Sequence, residues 1–177
     1  MSEIIYVLDI ETDHLNSKFG SILEIGIVSL NFLSGEIIPV FSSLVQEKKK
    51  INSGAWIFRN SSLNFLDLIV APLLDDLKFE FQTLFLQGEF TAFNQKFDFG
   101  WLESRGFKFP RKFLDPMLIL TPIMKLNHKY YSNKYPSVEE AFLFLFKEQI
   151  KETHRALEDA TIEAKIILEM AKKGYFL

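Results

Sequence analysis

The apolar run from Ile4 to Leu8 (IIYVL) constrains the fold more than any other segment of the chain. Five consecutive apolar or aromatic residues are typical of a strand that is buried on both faces of a sheet. Two further strands are predicted at residues 22–30 and 37–45, and Gly35 provides a turn between them. Because short segments separate the three strands, we expect an antiparallel meander at the start of the fold.

The rest of the chain alternates predicted helices with two short predicted strands, at residues 89–93 and 112–114. Helical patterns occupy five segments: 63–70, 72–86, 115–126, 137–147 and 154–173. A sixth helix is expected after Asn94, whose side chain can cap it. No repeat or linker divides the sequence, so we predict one domain over residues 1–177. This order of elements predicts an α/β fold with a central mixed five-stranded sheet flanked by helices.

Composition narrows the classes of function. The net charge is −3, from 20 basic and 23 acidic residues, which argues against a protein that grips nucleic acid by bulk positive charge. The chain has no cysteine, so disulfides and thiolate zinc sites are excluded. No basic leader precedes the first apolar run, and no apolar run is long enough to span a bilayer. We therefore expect a cytoplasmic protein that does not act in a membrane.

Two acids end the first predicted strand. Asp9 and Glu11 are two positions apart, so their side chains point to the same face at the carboxyl end of the strand. Ligands of open α/β sheets bind at that edge. Unpaired, the two carboxylates would repel each other, and a divalent cation would remove the repulsion. The alternative is that both acids simply begin a solvated loop.

Two more acids fall on helix faces that should be apolar. A helical projection places Asp98 beside Phe97, Trp101 and Leu102, where the helix is expected to pack. A buried aspartate needs a partner or a metal ion, so Asp98 is either a ligand or a structural aspartate bonded to backbone amides or a lysine.

The last predicted helix repeats this pattern, because Asp159 and Glu163 lie within its apolar arc. On a regular helix His154 projects away from Asp159. We therefore expect His154 to act from the entrance of the helix or from the preceding loop, and the alternative is a capping or surface histidine.

Three motifs together resemble the DEDDh (DnaQ-like) exonuclease family. They are Asp9-Ile10-Glu11-Thr12, then Asn94-x-x-Phe97-Asp98-x-x-Trp101-Leu102, then His154-Arg155-Ala156-Leu157-Glu158-Asp159-Ala160. The histidine lies five positions before the last aspartate, as in the DEDDh branch of that family. The resemblance implies a ribonuclease H-like fold and hydrolysis of phosphodiester bonds from the 3′ end of a nucleic acid.

The resemblance also implies residue roles. Four acids would hold two divalent ions, Mg²⁺ or Mn²⁺, with Asp9 bridging both: Asp9, Glu11, Asp98 and Asp159. His154 would act as the general base, and the product would be a nucleoside 5′-monophosphate. Thr12 and Leu15 would contact the terminal nucleotide. Phe97 offers a stacking face for a base, with core packing as its alternative.

Two departures from the family pattern concern acids. Asp13-His14 stands where the family often has a small pair such as Thr-Gly, and Glu163 is not a family position; a lysine is the partner we consider for it. From the resemblance we expect the substrate to be the 3′ end of a single-stranded or frayed nucleic acid, with DNA favoured. An RNA-trimming enzyme and a non-catalytic binding module remain the alternatives. A DNA polymerase subunit and a second copy of the chain are both open as protein partners.

Overall fold

The computed structural model describes residues 2–127 and 133–176. Within these ranges the elements follow in the order β1 (Ile4–Thr12), β2 (Ile22–Asn31), β3 (Ile37–Leu44), α1 (Ile57–Asn60), α2 (Phe65–Ile69), α3 (Leu74–Gln87), β4 (Glu89–Thr91), α4 (Gln95–Glu103), α5 (Pro116–Met124), α6 (Val138–Phe146) and α7 (Ala156–Lys172). The α/β class predicted from the sequence is confirmed. No helix in the described ranges has the length and apolar character needed to cross a membrane.

The sheet has the strand order β3-β2-β1-β4. The first three strands form the predicted antiparallel meander, and β4 runs parallel to β1, so the sheet is mixed. The prediction of a fifth strand at residues 112–114 is wrong. That segment makes a single parallel bridge, between Phe90 and Lys112, and Asp115 then caps helix α5. Helix α5 begins at Pro116, so the segment ends before a second bridge to β4 forms.

Helices cover both faces of the sheet. On one face, Ile5 and Val7 of β1 pack against Ala160, Ala164 and Ile167 of α7. On the other face, the core is rich in aromatic side chains from α3, β4, α4 and the segment that follows α4: Phe81, Phe85, Phe90, Phe99, Trp101, Phe107 and Phe109. The abundance of phenylalanine in the sequence is thus mostly a packing feature, because these rings contact one another at centroid distances such as 4.2 Å for Phe99 and Phe109.

Two predicted helix starts can be compared with the structure, and one of the two features expected at them is absent. Asn94 adopts a left-handed conformation (φ 79°) and makes no side-chain capping bond to α4. The Asp115 carboxylate accepts a hydrogen bond from the Gln95 N–H instead, at 3.0 Å. The last helix begins at Ala156, so His154 lies outside it, also with a positive φ of 54°. This confirms the expectation that His154 precedes the helix.

Candidate active site

The first two acids lie where β1 faces helix α7. Residues alternate between the two faces of a strand, so Asp9 and Glu11 share the face of Ile5 and Val7, which pack on α7. Asp9 pairs with Gly26 of β2. Its Oδ2 atom is buried and has no hydrogen-bond partner among the residues that the structure describes. A buried carboxylate oxygen without a donor is costly, so this atom is suited to bind a cation.

The third acid comes from α4. Asp98 lies in the first turn of that helix and is only 3% exposed. The packing inferred from the helical projection is therefore correct. Backbone amides of Asp98 and Ile10 donate to its carboxylate and lower its pKa, but burial has the larger effect and raises the pKa well above the ordinary value. The Ile10 amide links α4 to the end of β1, between Asp9 and Glu11.

Helix α7 reaches the sheet through a glycine and an ion pair. A Cβ atom at Gly26 would overlap the backbone of Ala156 and Leu157, so only glycine permits this close approach. The buried Glu24 carboxylate binds the Arg155 guanidinium, with an N–O distance of 2.7 Å, and accepts the Ala156 N–H at 3.1 Å. These contacts fix the start of α7 opposite Asp9.

The fourth acid and the histidine come from this helix start. Asp159 is buried, and its Oδ1 accepts a hydrogen bond from the Thr153 N–H at 3.2 Å. The left-handed conformation of His154 turns its side chain back toward the site. Ligand atoms of Glu11, His154 and Asp159 all lie within 4.8 Å of one another.

The pKa values of four acids at this site are all raised, and we call these residues the acid cluster: Asp9, Glu11, Asp98 and Asp159. Burial is the largest cause in each case. Burial and the neighbouring charges of Asp159 and Glu24 raise the pKa of Glu11 to about 9. In the absence of a cation, burial and these neighbouring charges therefore favour the protonated form of Glu11 at neutral pH.

The acid cluster fits divalent cations. All four donors are carboxylates, which Mg²⁺ and Mn²⁺ prefer to the sulfur and nitrogen ligands of structural zinc sites. The unpartnered Oδ2 of Asp9 lies within the cluster, where an ion would neutralise several charges at once. His154 is the one nitrogen ligand within reach of Glu11 and Asp159 in the described residues.

Glu163 is a fifth buried acid beside the cluster. It is 3% exposed, and its Oε2 accepts a hydrogen bond from the Phe93 N–H at 3.0 Å. The lysine partner considered from the sequence is therefore wrong. Burial raises the pKa of Glu163 well above its ordinary value, and the nearby Asp98 charge adds to this effect. The contact ties α7 to the turn that leads from β4 into α4.

The predicted substrate-contacting residues line one cavity next to the acid cluster. Thr12, Leu15 and Phe97 surround a space of about 580 Å³, together with Glu11 and Trp56. Leu15 is 87% exposed at the rim, which leaves its side chain free to contact a ligand. Sequence reasoning missed Trp56. This residue belongs to none of the three motifs, and no pattern in the neighbouring sequence indicates that it lines the cavity.

Asp13 has a structural explanation. The side chain is 8% exposed, and its two oxygens accept hydrogen bonds from the backbone amides of Ser21 (2.6 Å) and Asn52 (2.8 Å). It therefore closes the loop after β1 and holds the segment before α1 against it. His14 is exposed and accepts a hydrogen bond from the Asn16 N–H within the same loop.

Comparison with known proteins identifies the family. The model of the Exonuclease family matches residues 6–167, which include the whole acid cluster and His154. The chain belongs to the Exonuclease family. The three motifs that resemble the DEDDh (DnaQ-like) group all lie within the matched residues.

Two relatives are bacterial polymerases, both described as DNA polymerase III PolC-type. The protein of Caldanaerobacter subterraneus subsp. tengcongensis is 26% identical over 167 residues, which cover 94% of this chain and 11% of the relative. The protein of Thermotoga maritima is 25% identical over 175 residues, covering 94% of this chain and 12% of the relative. The chain thus spans about a tenth of the length of these relatives.

Solved structures share the fold. The nuclease domain of 3′hExo, a DEDDh family member bound to rAMP, has a TM-score of 0.73 at 16% identity, covering 99% of this chain and 94% of that one. Escherichia coli Exonuclease I in complex with a dA16 oligonucleotide has a TM-score of 0.70 at 12% identity, covering 99% and 42%. The ribonuclease H-like fold expected from the motifs is confirmed.

Proposed function

We propose that this protein is a metal-dependent 3′→5′ exonuclease that shortens single-stranded or frayed DNA and releases nucleoside 5′-monophosphates. One observation carries the proposal. Glu11 of the acid cluster lines a cavity of about 580 Å³, His154 lies beside Glu11 and Asp159, and the Oδ2 of Asp9 is buried without a partner in the described residues. Acids, base and cavity are the three parts that hydrolysis of a terminal phosphodiester requires.

The acid cluster would hold two divalent ions through its four carboxylates, and the unpartnered Oδ2 of Asp9 would be one of the ligand atoms. Such ions supply Lewis acidity to the attacking water and to the departing 3′ oxygen. The protein's own contribution is to fix the four carboxylates from β1, α4 and α7 before the ions arrive. Because Asp98 and Asp159 are buried and bonded to backbone amides, they cannot turn away from the site.

His154 would take the proton from the attacking water. Its imidazole lies next to Glu11 and Asp159, at the edge of the acid cluster. The oxygen of the water forms a new bond to the scissile phosphorus, and the bond from phosphorus to the 3′ oxygen breaks. The leaving oxygen receives a proton, so the products are a nucleoside 5′-monophosphate and a strand with a new 3′ hydroxyl.

The cavity would bind the terminal nucleotide. Its walls are mainly apolar, which suits the faces of a nucleobase. We propose that Leu15 packs against the terminal base, that Phe97 offers a second apolar face and that the Thr12 backbone bonds the sugar. Their positions around one cavity support this assignment.

DNA is the favoured substrate because both bacterial relatives are DNA polymerases. That similarity also supports a role alongside a DNA polymerase. An RNA-trimming enzyme is the second candidate, since similar structures include a 3′-exonuclease that recognises the histone mRNA stem-loop. A non-catalytic module is disfavoured by the presence of all four acids and the histidine.

A substrate comparison tests the proposal. Single-stranded DNA, single-stranded RNA and a mismatched duplex of the same sequence are incubated with Mg²⁺, with Mn²⁺ and with a chelator. We expect ion-dependent ladders, with DNA degraded faster than RNA. Faster degradation of RNA would establish the second candidate, and the absence of degradation with every substrate would indicate a binding module.

A further inference from the structure

The indole of Trp56 is unusually exposed for a large apolar group on a well-anchored segment. It is 57% exposed, whereas its neighbours Ala55 and Ile57 are 5% and 3% exposed. These neighbours pack with Leu23 and Leu68 in a cluster below the segment. Packing of these two neighbours therefore fixes the backbone of Trp56. The direction of its side chain is set by an anchored segment.

The exposed ring contacts His154. The centroids of the indole and the imidazole are 4.8 Å apart, with an angle of 77° between the planes. A general base is normally oriented by a third group that bonds to its second nitrogen. In residues 2–127 and 133–176, no hydrogen bond involves either imidazole nitrogen of His154. The contact with the Trp56 indole is therefore what limits rotation of the imidazole.

The same indole also lines the cavity with Thr12, Leu15 and Phe97. One rigid side chain thus contacts the cavity on one side and the imidazole on the other. A nucleobase that enters the cavity would contact the Trp56 indole. If that contact limits rotation of the indole, it also limits rotation of the adjacent His154 imidazole.

We propose that Trp56 is a positioning residue that holds the His154 imidazole and makes its orientation depend on occupancy of the cavity by a nucleobase. This inference rests on the proposed function, because it concerns the base of that reaction. Trp56 itself does not take part in the chemistry. Its effect is exerted through packing, where displacement of a reacting group by about 1 Å can cost roughly 10²-fold in rate.

The first test requires no activity. The ring-proton signals of the three histidines are recorded by NMR, and His154→Gln identifies the signal of His154. Because an indole 4.8 Å away shifts nearby ring protons, Trp56→Leu should move the His154 signal by more than that of His14, which lines the same cavity without a ring contact to Trp56 in the described residues. Phe79→Leu, at an 84% exposed aromatic on α3, is the control and should move none of them.

The same spectra test the link to the cavity. A nucleoside 5′-monophosphate, added to the metal-loaded protein, should shift the His154 signal in the wild type and shift it much less in Trp56→Leu. A His154 signal that is identical in wild type and Trp56→Leu, with and without the mononucleotide, would overturn the inference. That result would leave the proposed exonuclease activity intact.

Kinetics separate positioning from simple stacking of the base. On a normal single strand, Trp56→Leu should lower kcat about 10–10²-fold, with a smaller change in KM, and Trp56→Phe should restore most of the loss. On a strand whose 3′-terminal residue lacks its base, Trp56→Leu should still lower kcat relative to the wild type, but by a smaller factor, because only the contact between Trp56 and His154 remains. If the two proteins degrade that strand equally fast, Trp56 acts only as a stacking surface and the inference fails.

Discussion

Metal-free protein should lose stability as the pH rises through neutrality, because the acid cluster retains protons that the unfolded chain releases. Glu11 has a pKa of about 9 in the folded chain, against an ordinary 4.5. Between these values the folded state binds more protons than the unfolded state, so the free energy of unfolding decreases with pH. Each retained proton contributes a slope of about 1.4 kcal/mol per pH unit.

For Glu11 alone, a rise of about two pH units around neutrality removes up to ~2.7 kcal/mol. Partial exposure of Glu11 to water makes this an upper value. In a chain of this size the loss corresponds to a fall in Tm of roughly 5–10 °C. Asp9 and Asp98 have raised pKa values as well and steepen the slope.

Urea unfolding in a chelator, measured between about pH 6 and pH 8, provides the assay. Glu11→Gln should reduce the slope, whereas Glu80→Gln, at an exposed acid on α3, should leave it unchanged. Saturating Mg²⁺ should reverse the trend, since ions bind the deprotonated carboxylates more tightly at higher pH. Constant or increasing stability of the metal-free protein over this range would refute the reasoning.

Three further substitutions have distinct expected results. His154→Ala should lower kcat about 10²–10⁴-fold and leave Mn²⁺ affinity, measured by calorimetry, nearly unchanged; equal turnover would remove His154 from the mechanism. Asp98→Asn should abolish turnover and reduce the loss of stability of the metal-free protein with rising pH, because the amide has no proton to release; full activity would show that Asp98 is structural. Arg155→Ala should cost about 3 kcal/mol in urea unfolding, because Glu24 is left buried without its partner; a change below about 1 kcal/mol would contradict that account.

The antiparallel meander was predictable because apolar runs and a turn glycine are local signals. The burial of Asp98 and Asp159 was predictable too, since a charged residue on an apolar helix face stands out in a periodic pattern. The fifth strand was wrong because strand formation depends on the partner. Residues 112–114 are apolar enough for a strand, but only one bridge forms beside the short β4.

Contacts between distant parts of the chain were beyond the reach of sequence reasoning. The partner of Glu163 is the backbone amide of Phe93, and a backbone donor leaves no trace in residue types. The contact of Trp56 with His154 joins two segments that share no motif. In the sequence, Asp13 is only a departure from the family pattern. Its structural role depends on hydrogen bonds from the backbone amides of Ser21 and Asn52, which residue types do not predict.

Polarity and ion dependence of cleavage test the central claim most directly. Two copies of one DNA strand, labelled at the 5′ end or at the 3′ end, are incubated with wild type and with Asp9→Asn, in Mg²⁺ and in a chelator. The wild type with Mg²⁺ should release the 3′ label first as a mononucleotide and shorten the 5′-labelled strand step by step, whereas the chelator and Asp9→Asn should stop both. Early release of the 5′ label, or undiminished cleavage in the chelator, would contradict the account.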